Sequence, residues 1–414
     1  MTTTRAPRPV RLRLLVLLAF IAGASPLAVD LYLASFPAIQ RDLSTTPGMV
    51  QLTLTSYLVG MAIGQPVWGP LSDRYGRRAT LLGSNAITVA SSLAVVVAPT
   101  IEALSAARFA QALSAASGMV IARAMVADLA RGFAGVRAQT LMMTIHAVVP
   151  VIAPALGGVL ATFAPWRGVL AVLALVVAAQ LVVTLLVVPE TLPPAQRAAR
   201  VDFGGLARVV ARPGYLAYAL TLGFAVATIM AYVASSSFVY QDVLGFSPLA
   251  YGATFAVNAL GMTVGGLVSA RLARRHVHPA RTVGRALPAL VVCCLLIAVA
   301  AASPWPVLLV APMFATTFFC NLVMGNCMGL AMEQANGMSG AGSAMLGLFM
   351  FGISAFVTPL AGLLGDAGSA VPMGLVMVTA AALAATVFAI GRRSLARDPA
   401  GEAVFARVET SRAA

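Results

Sequence analysis

The sequence predicts an all-α membrane protein with twelve transmembrane helices in two pseudo-symmetric six-helix bundles. Three observations carry this prediction: the composition, the length of the apolar runs and an internal repeat. Of the 414 residues, 60% are apolar and 10% are charged, and the mean hydropathy is +0.92. Because a soluble domain is about 45–50% apolar and about 25% charged, this composition excludes a soluble protein.

Twelve apolar runs have the length that a helix needs to cross a bilayer, which is roughly 20 residues. They lie near 12–36, 49–70, 79–98, 101–127, 138–163, 166–189, 215–241, 250–272, 284–302, 306–333, 341–364 and 370–391. The first run follows a cluster of arginines and resembles a secretory signal peptide. Its apolar pattern continues to Phe36, so we expect it to form the first membrane helix.

The longest connection between runs defines the predicted domain organisation. Residues 190-214 contain Pro193, Pro194 and four arginines, which predicts a cytoplasmic linker. It separates an N-terminal six-helix bundle, 1-189, from a C-terminal six-helix bundle, 215-391. Residues 392-414 contain five arginines and are the predicted cytoplasmic tail.

The distribution of positive charge predicts the orientation in the membrane. All of the 27 basic residues are arginines, against 13 acidic residues. If the N-terminus is cytoplasmic, 23 arginines lie on that side and two on the other. Cytoplasmic loops carry such an excess, so both termini are predicted to face the cytoplasm. The arginines are expected to face anionic lipid headgroups, and no nucleic-acid partner is expected.

Several chemistries are excluded by residue types that the chain lacks or scatters. Without lysine there is neither a phosphate-binding GxxxxGK[ST] loop nor a Schiff-base lysine. The four cysteines and three histidines form no metal-binding spacing. The sequence shows no nucleophile–base pair either, so we expect no enzyme, no metal and no cofactor.

Two segments of the chain repeat each other. Gly-Pro-Leu-Ser-Asp-Arg-Tyr-Gly-Arg-Arg at 69–78 and Gly-Leu-Val-Ser-Ala-Arg-Leu-Ala-Arg-Arg at 266–275 are identical at five of ten positions, at an offset of 197. A second echo relates 153–157 to 358–362. Two similar halves are typical of a transporter that binds its cargo near the interface of its repeats.

These motifs carry a family resemblance. Residues 69–78 resemble the loop 2–3 signature of the major facilitator superfamily, and Arg108 with Pro154, Gly157 and Gly158 resembles its antiporter motifs, although Ala153 stands where glycine is usual. The combination of Asp30-Leu-Tyr-Leu-x-x-x-Pro37, Gly64-Gln65, residues 69–74 and Trp166-Arg167 is similar to the bicyclomycin-resistance (Bcr/CflA) branch of drug:proton antiporters. The resemblance implies the fold of that superfamily and rocking alternating access around a midplane cavity.

Asp30 and Arg108 are the predicted proton-coupling residues. A carboxylate inside a span costs roughly 2.5–3.5 kcal/mol on insertion scales, which marks it as functional, although Asp30 lies near enough to the end of its run to reach the interface instead. By helix rise, both residues lie at a depth of roughly 9–11 Å, so an Asp30–Arg108 pair is expected if their helices are neighbours. Burial favours the neutral acid and a nearby arginine favours the carboxylate, so Asp30 is expected to exchange a proton.

Other predicted site residues have a competing structural interpretation. The resemblance implies that Gly69, Asp73, Arg74, Gly76, Arg77 and Arg78 form a conformational latch; a tight turn with topology-determined arginines explains all of them except Asp73. Pro154, Gly157 and Gly158 imply a leak-blocking role, and a packing kink is equally compatible. Side chains predicted to line the substrate cavity, for which ordinary packing is the alternative, are Tyr32, Phe224, Tyr232, Asn321, Met324 and Met328.

The expected function is therefore proton-coupled efflux of small amphipathic drugs or metabolites across the cytoplasmic (inner) membrane of a bacterium. The alternative is a proton-coupled symporter that imports a small nutrient, since the same Asp and Arg chemistry serves both. Its expected partners are a small-molecule substrate, protons and the lipid bilayer. Because the chain carries its own two-fold repeat, it is expected to function as a monomer.

Overall fold

The computed structural model describes residues 12–130, 138, 141–142, 148–199, 201, 203–303, 305–335, 337–363 and 369–395. The predicted tail, 392-414, lies outside these residues from 396 onward. All regular structure in the described part of the chain is helical. Its α-helices, in chain order, are α1 (Leu12–Ala22), α2 (Ala24–Asp30), α3 (Phe36–Asp42), α4 (Pro47–Tyr75), α5 (Arg77–Val96), α6 (Ile101–Leu129), α7 (Val149–Phe163), α8 (Trp166–Val187), α9 (Gly204–Val210), α10 (Pro213–Phe238), α11 (Pro248–Arg274), α12 (Pro279–Ala302), α13 (Val310–Ala335), α14 (Ser339–Leu363) and α15 (Val371–Leu395).

Each of the twelve predicted runs overlaps a helical segment of the described chain; of the fifth run, 138–163, residues 139–140 and 143–147 lie outside the described residues. Ten segments of the described chain are long and apolar enough to cross a bilayer. The other two are α4, whose 29 residues include the buried Gln51, Thr53 and Gln65, and α7, a shorter apolar helix. Buried polar residues such as these lower the mean hydropathy of α4.

The first predicted run is longer and less regular than the sequence suggests. Helical structure extends to Asp42 in four pieces: α1, α2, the 3₁₀ turn Leu33–Ser35 and α3. Pro26, which lacks an N–H, and Gly23 lie near the break between α1 and α2. Asp30 consequently lies at the end of a short helix within this segment.

The chain forms two compact units. The first takes in the described residues of Met1–Thr45, Ser56–Phe203 and Pro248–Ala253, and the second those of Thr46–Thr55, Gly204–Ser247 and Thr254–Ala414. The main boundary falls inside the predicted linker. Two short segments, the starts of α4 and α11, belong to the unit that their place in the chain does not suggest.

The first unit is organised around α6. This helix packs against α5 and α1, and α5 also packs against α8. A buried cluster that includes Leu18, Ile21, Leu81, Ile121 and Met125 fills the space between α1, α5 and α6. The polar residues described below lie beside this cluster on the same three elements and on α2 and α4.

The second unit is organised around α10. This helix packs against α13, α14 and α15, and α12 packs against α13 and α15. The start of α4 approaches α14 through glycines, since a Cβ on Gly362 would lie 3.1 Å from the Cα of Gly48. Small residues permit this close packing, which explains why the first turns of α4 belong to the second unit.

Candidate functional site

Asp30 is a buried carboxylate at a break in the first helical segment. It is the last residue of α2, and 7% of its surface is exposed. The residues that follow it, Leu31 and Tyr32, are themselves buried. Asp30 is therefore enclosed by the first unit and is not an exposed residue at a helix end.

The predicted ion pair between Asp30 and Arg108 is absent. Among the described residues, no ion pair joins the two side chains. The guanidinium of Arg108 instead donates from Nη1 to Oε1 of Gln111 (2.7 Å) and from Nη2 to the carbonyl oxygen of Ala28 (3.0 Å). Ala28 lies in the last turn of α2, where backbone carbonyls lack donors within the helix. Its carbonyl oxygen, and not the predicted carboxylate of Asp30, accepts the hydrogen bond of Arg108.

Two tyrosine rings enclose the guanidinium of Arg108. The rings of Tyr32 and Tyr57 each lie with their centroid 4.3 Å from its central carbon. Arg108 has no exposed surface, and cation–π contacts of this kind are strongest when they are desolvated. Arg108 is thus a fixed, buried positive charge, anchored on the helix that carries Asp30.

Tyr57 connects this charge to the opposite end of α2. Its hydroxyl lies 3.1 Å from Oγ of Ser25 and donates to the Ser25 carbonyl oxygen (3.1 Å). Ser25 Oγ also contacts the sulfur of Met61 (3.1 Å). The contacts of Tyr57 and Arg108 therefore hold α2 against both α4 and α6.

A row of buried polar side chains continues from Arg108 along the contact between α5 and α6. Gln111 donates to Oγ of Ser92 (2.7 Å). Two further hydrogen bonds follow: Thr88 donates to Ser114 (2.9 Å), and Ser117 donates to Ser84 (2.6 Å). Hydrogen bonds between buried side chains of membrane helices stabilise their packing, so this row fixes the position of α6 and of Arg108.

Two of the predicted latch residues, Asp73 and Arg77, belong to a charge cluster where α4, α5 and α6 meet. Arg77 is 8% exposed; its guanidinium pairs with Asp73 (2.6 Å) and with Asp128 of α6 (3.0 Å), and donates to Ser72 Oγ (2.6 Å). Gly76 has a φ of +96°, a conformation that glycine adopts without strain. It makes the sharp turn that places Arg77 between the two carboxylates.

Glu190 completes this cluster, and the sequence analysis missed it. Its carboxylate accepts hydrogen bonds from the backbone N–H groups of Arg77 (3.0 Å) and Arg78 (3.3 Å), the first two residues of α5. A carboxylate is favoured at a helix N-terminus. Glu190 lies more than a hundred residues further along the chain, so only the fold reveals this contact.

The remaining latch residues have separate contacts. Arg78 donates to the carbonyl oxygen of Leu185 near the end of α8 (2.7 Å). Arg74 is exposed and lies over the ring of Tyr75 (5.2 Å). Gly69 packs against Val120 of α6, with ordinary contact distances. Only Asp73 and Arg77 of the predicted set form an ion pair with each other.

The predicted antiporter motif on α7, formed by Pro154, Gly157 and Gly158, is a site of close backbone packing. A Cβ on Gly157 would overlap the carbonyl oxygen of Leu31, the residue after Asp30. A Cβ on Gly158 would lie 2.6 Å from the carbonyl oxygen of Pro248. Pro154 is within α7 and is buried, and its carbonyl oxygen lies 2.6 Å from the Cβ position of Gly252. The motif therefore lets α7 contact the segment that carries Asp30.

The residues predicted to line a substrate cavity have mostly packing contacts. Tyr32 lies against Arg108, and Tyr232 stacks on Phe255 at 5.3 Å and accepts a hydrogen bond from Asn258 (2.9 Å). Asn321 donates to the carbonyl oxygen of Met262 and so joins α13 to α11. The other three predicted cavity residues, Phe224, Met324 and Met328, are partly buried.

A cavity of about 470 Å³ in the second unit is lined by none of these six residues. Its walls combine polar side chains, such as those of Gln51 and Ser235, with apolar ones, such as those of Phe238 and Met373. Gln51 and Ser235 are 4% and 5% exposed. This mixed lining suits a molecule with both apolar and hydrogen-bonding surface.

The chain matches one protein family over most of its length. The model of the Major Facilitator Superfamily matches residues 18–359. An uncharacterized MFS-type transporter of Bacillus subtilis, YdgK, is 34% identical over 384 residues, which cover 91% of this chain and 95% of that protein. A bicyclomycin resistance protein homolog of Haemophilus influenzae is 27% identical over 357 residues, 83% of this chain and 87% of that protein.

Two further similarities concern a resistance protein and a solved structure. A chloramphenicol resistance protein of Pseudomonas aeruginosa is 30% identical over 266 residues, 63% of this chain and 59% of that protein. The crystal structure of the nucleoside transporter NupG aligns with a TM-score of 0.71 at 12% identity and covers 92% of this chain and 98% of that one. The structural match confirms the predicted fold class.

Proposed function

The chain belongs to the Major Facilitator Superfamily, and we propose that it exports small amphipathic drugs or metabolites in exchange for protons. It is a multi-pass membrane transporter of small molecules and not an enzyme. One observation carries the proposal. Asp30 is a buried carboxylate without an ion pair to the fixed positive charge of Arg108, which is anchored two residues away at Ala28.

This arrangement supports proton exchange at Asp30. Burial favours the protonated acid, whereas a nearby guanidinium favours the carboxylate. Because both terminal nitrogens of Arg108 bond to Gln111 and Ala28 and its guanidinium lies between two tyrosine rings, its position does not depend on the protonation of Asp30. A change in water access at Asp30 then decides whether the proton is bound or released, and Arg108 stays in place.

The proton gradient supplies the energy for export. Each proton that enters yields about 2.3 kcal/mol per 100 mV of membrane potential and about 1.4 kcal/mol per pH unit. In the proposed cycle, Asp30 takes a proton from the outer side and releases it to the cytoplasm, and the ionised site binds cargo from the cytoplasm. Because cargo and proton use the site in turn, the transport is antiport by alternating access.

The other predicted motifs have supporting roles in this proposal. The Asp73–Arg77–Asp128 cluster acts as a latch, since its ion pairs join α4, α5 and α6 at one end. The close contact of Gly157 with Leu31 keeps α7 against the Asp30 segment and opposes proton leak. The mixed lining of the 470 Å³ cavity and the resistance proteins among the relatives support an amphipathic cargo.

The proposed location is the inner membrane of a bacterium, with both termini in the cytoplasm. The arginine distribution of 23 against two supports this orientation. We also propose that a single chain is the functional form. Cross-linking in membranes at low expression tests this last point. Active transport by chains that do not cross-link to one another is the expected result.

Growth of a bacterial host that lacks its own efflux pumps tests the proposed function. The host expresses the chain and is challenged with a panel of antibiotics, with and without a protonophore. We expect raised tolerance to at least one amphipathic compound and loss of that tolerance with the protonophore. No tolerance to any compound, together with proton-dependent uptake of a nutrient, would replace export by the symport alternative.

A further inference from the structure

The two repeated segments of the chain differ in what their arginines contact. In 69–78, Arg77 lies between two carboxylates, and Arg78 donates a hydrogen bond to a backbone carbonyl. In 266–275 the corresponding residues, 197 positions later, are Arg274 and Arg275, and Ala270 replaces the aspartate at 73. The second segment thus keeps its arginines and lacks the acid that the first segment uses.

The arginines of the second segment differ from those of the first in having no acidic partner among the described residues. Arg271, Arg274 and Arg275 are all exposed. Within the described part of the chain, none of their guanidinium groups forms an ion pair or a side-chain hydrogen bond. Three guanidinium groups within five residues, at the end of α11, form a local concentration of positive charge that no carboxylate of the described residues neutralises.

An exposed apolar stripe continues directly from these arginines. Val264, Leu267 and Val268 precede them on the same face of α11, at the spacing that aligns residues along one side of a helix. Val264 is 42% exposed and Leu267 is 65% exposed. Together with the three arginines they line a groove of about 460 Å³.

We infer that this face of α11 binds an anionic phospholipid. The phosphate lies among the guanidinium groups of Arg271, Arg274 and Arg275, since arginine binds phosphate through paired N–H groups. One acyl chain lies along Val264, Leu267 and Val268. From Val264 to Arg275 the helix rises about 16 Å, a length that matches most of an extended acyl chain. A free phosphate would leave the apolar half of the groove unused, so the complementary ligand is a lipid.

Native mass spectrometry of the full-length, detergent-purified protein tests this inference. Phosphatidylglycerol and phosphatidylcholine are titrated separately, and retention of each lipid is compared. The wild type is expected to retain phosphatidylglycerol in preference to phosphatidylcholine. Because an arginine near an anionic surface contributes about 1 kcal/mol, R274Q is expected to weaken phosphatidylglycerol retention about fivefold, and R271Q/R274Q/R275Q further.

Two control variants separate a specific site from general charge. R13Q/R208Q/R285Q removes three exposed arginines elsewhere and is expected to retain the lipid as the wild type does. R271K/R274K/R275K keeps the charge and is expected to retain most of the binding, which also shows that the segment still folds. Equal loss in both glutamine triples, or equal retention of the two lipids by the wild type, overturns the inference. Full displacement of the lipid by glycerol phosphate also overturns it, because the acyl chain would then contribute nothing.

Discussion

The guanidinium of Arg108 donates a 3.0 Å hydrogen bond to the carbonyl oxygen of Ala28, two residues before Asp30 on the same short helix. By helix geometry the Cα atoms of residues two apart are separated by about 5 Å. This bond therefore fixes a buried positive charge close to the buried acid through the backbone. The acid remains free to change its protonation state, because the arginine does not depend on it for its own hydrogen bonds.

Replacement of Arg108 by lysine is expected to lower both stability and transport. Lysine keeps the charge, but a single ammonium group does not reproduce the planar fork that reaches Gln111 and Ala28 and fills the space between two tyrosine rings. Loss of one hydrogen bond to a charged group costs about 1.5–3 kcal/mol. Thermal unfolding in detergent measures the effect. Arg13, exposed on α1, provides the control: R13K should unfold as the wild type does, and an R108K protein of unchanged stability would contradict the described role of Arg108.

Alanine at Gly76 is expected to destabilise the latch. The left-handed φ of +96° is unfavourable for alanine, and its Cβ would lie 2.5 Å from Glu190 Oε2. We expect a loss of about 1–3 kcal/mol, measured as a lower unfolding temperature and a lower transport rate. The matched control is G83A within α5, where a Cβ meets nothing within 4 Å; this change should be neutral or slightly stabilising. Similar behaviour of the two variants would contradict the assigned turn geometry.

Alanine at Gly157 is expected to impair coupling through a contact beside Asp30. The added Cβ overlaps the carbonyl oxygen of Leu31, so α7 must move away from the segment that carries the acid, at a cost of about 1–3 kcal/mol. Proteoliposomes with G157A should show a faster proton leak without cargo than the wild type. G325A on α13, where a Cβ also meets nothing within 4 Å, should show no added leak. If G157A leaks protons no faster than the wild type, the motif has only a packing role.

The two carboxylates that hold Arg77 are expected to differ in their contribution to stability. The Asp73 side chain is 50% exposed and that of Asp128 is 21% exposed. Asp128 also accepts a hydrogen bond from Thr191 (3.0 Å). Because exposed ion pairs contribute about 0–1 kcal/mol, D73N should lower the transport rate more than it lowers stability or cargo binding, whereas D128N should lower stability as well. An unchanged transport rate in D73N would remove the latch from the proposal.

The sequence predicts the helices well because membrane crossing imposes a length and a composition that are visible without any partner. Asp30 was recognisable for the same reason, as an acid within an apolar run. The partner of Arg108 was not, since matched depth on two helices does not determine where a long side chain points. A backbone carbonyl such as that of Ala28 leaves no trace in residue identity.

The contacts of the latch show a second limit. Asp73, Gly76 and Arg77 belong to one motif and were found together, but Glu190 reaches them from the end of a distant helix. Only the approach of α8 to the start of α5 brings that carboxylate to the helix N-terminus. A clearer signal was available for the repeat: the alanine at 270 already indicates that the second segment does not form the same ion pair.

Cargo-driven proton release in proteoliposomes tests the central role of Asp30 most directly. Wild type, D30N and E102Q are reconstituted with a pH-sensitive dye and given a compound that the resistance panel identifies as cargo. Glu102 is an exposed acid at the start of α6 and serves as the control. The account predicts proton release by the wild type and E102Q, with D30N reduced to the level of empty liposomes. Undiminished proton release by D30N would contradict the account.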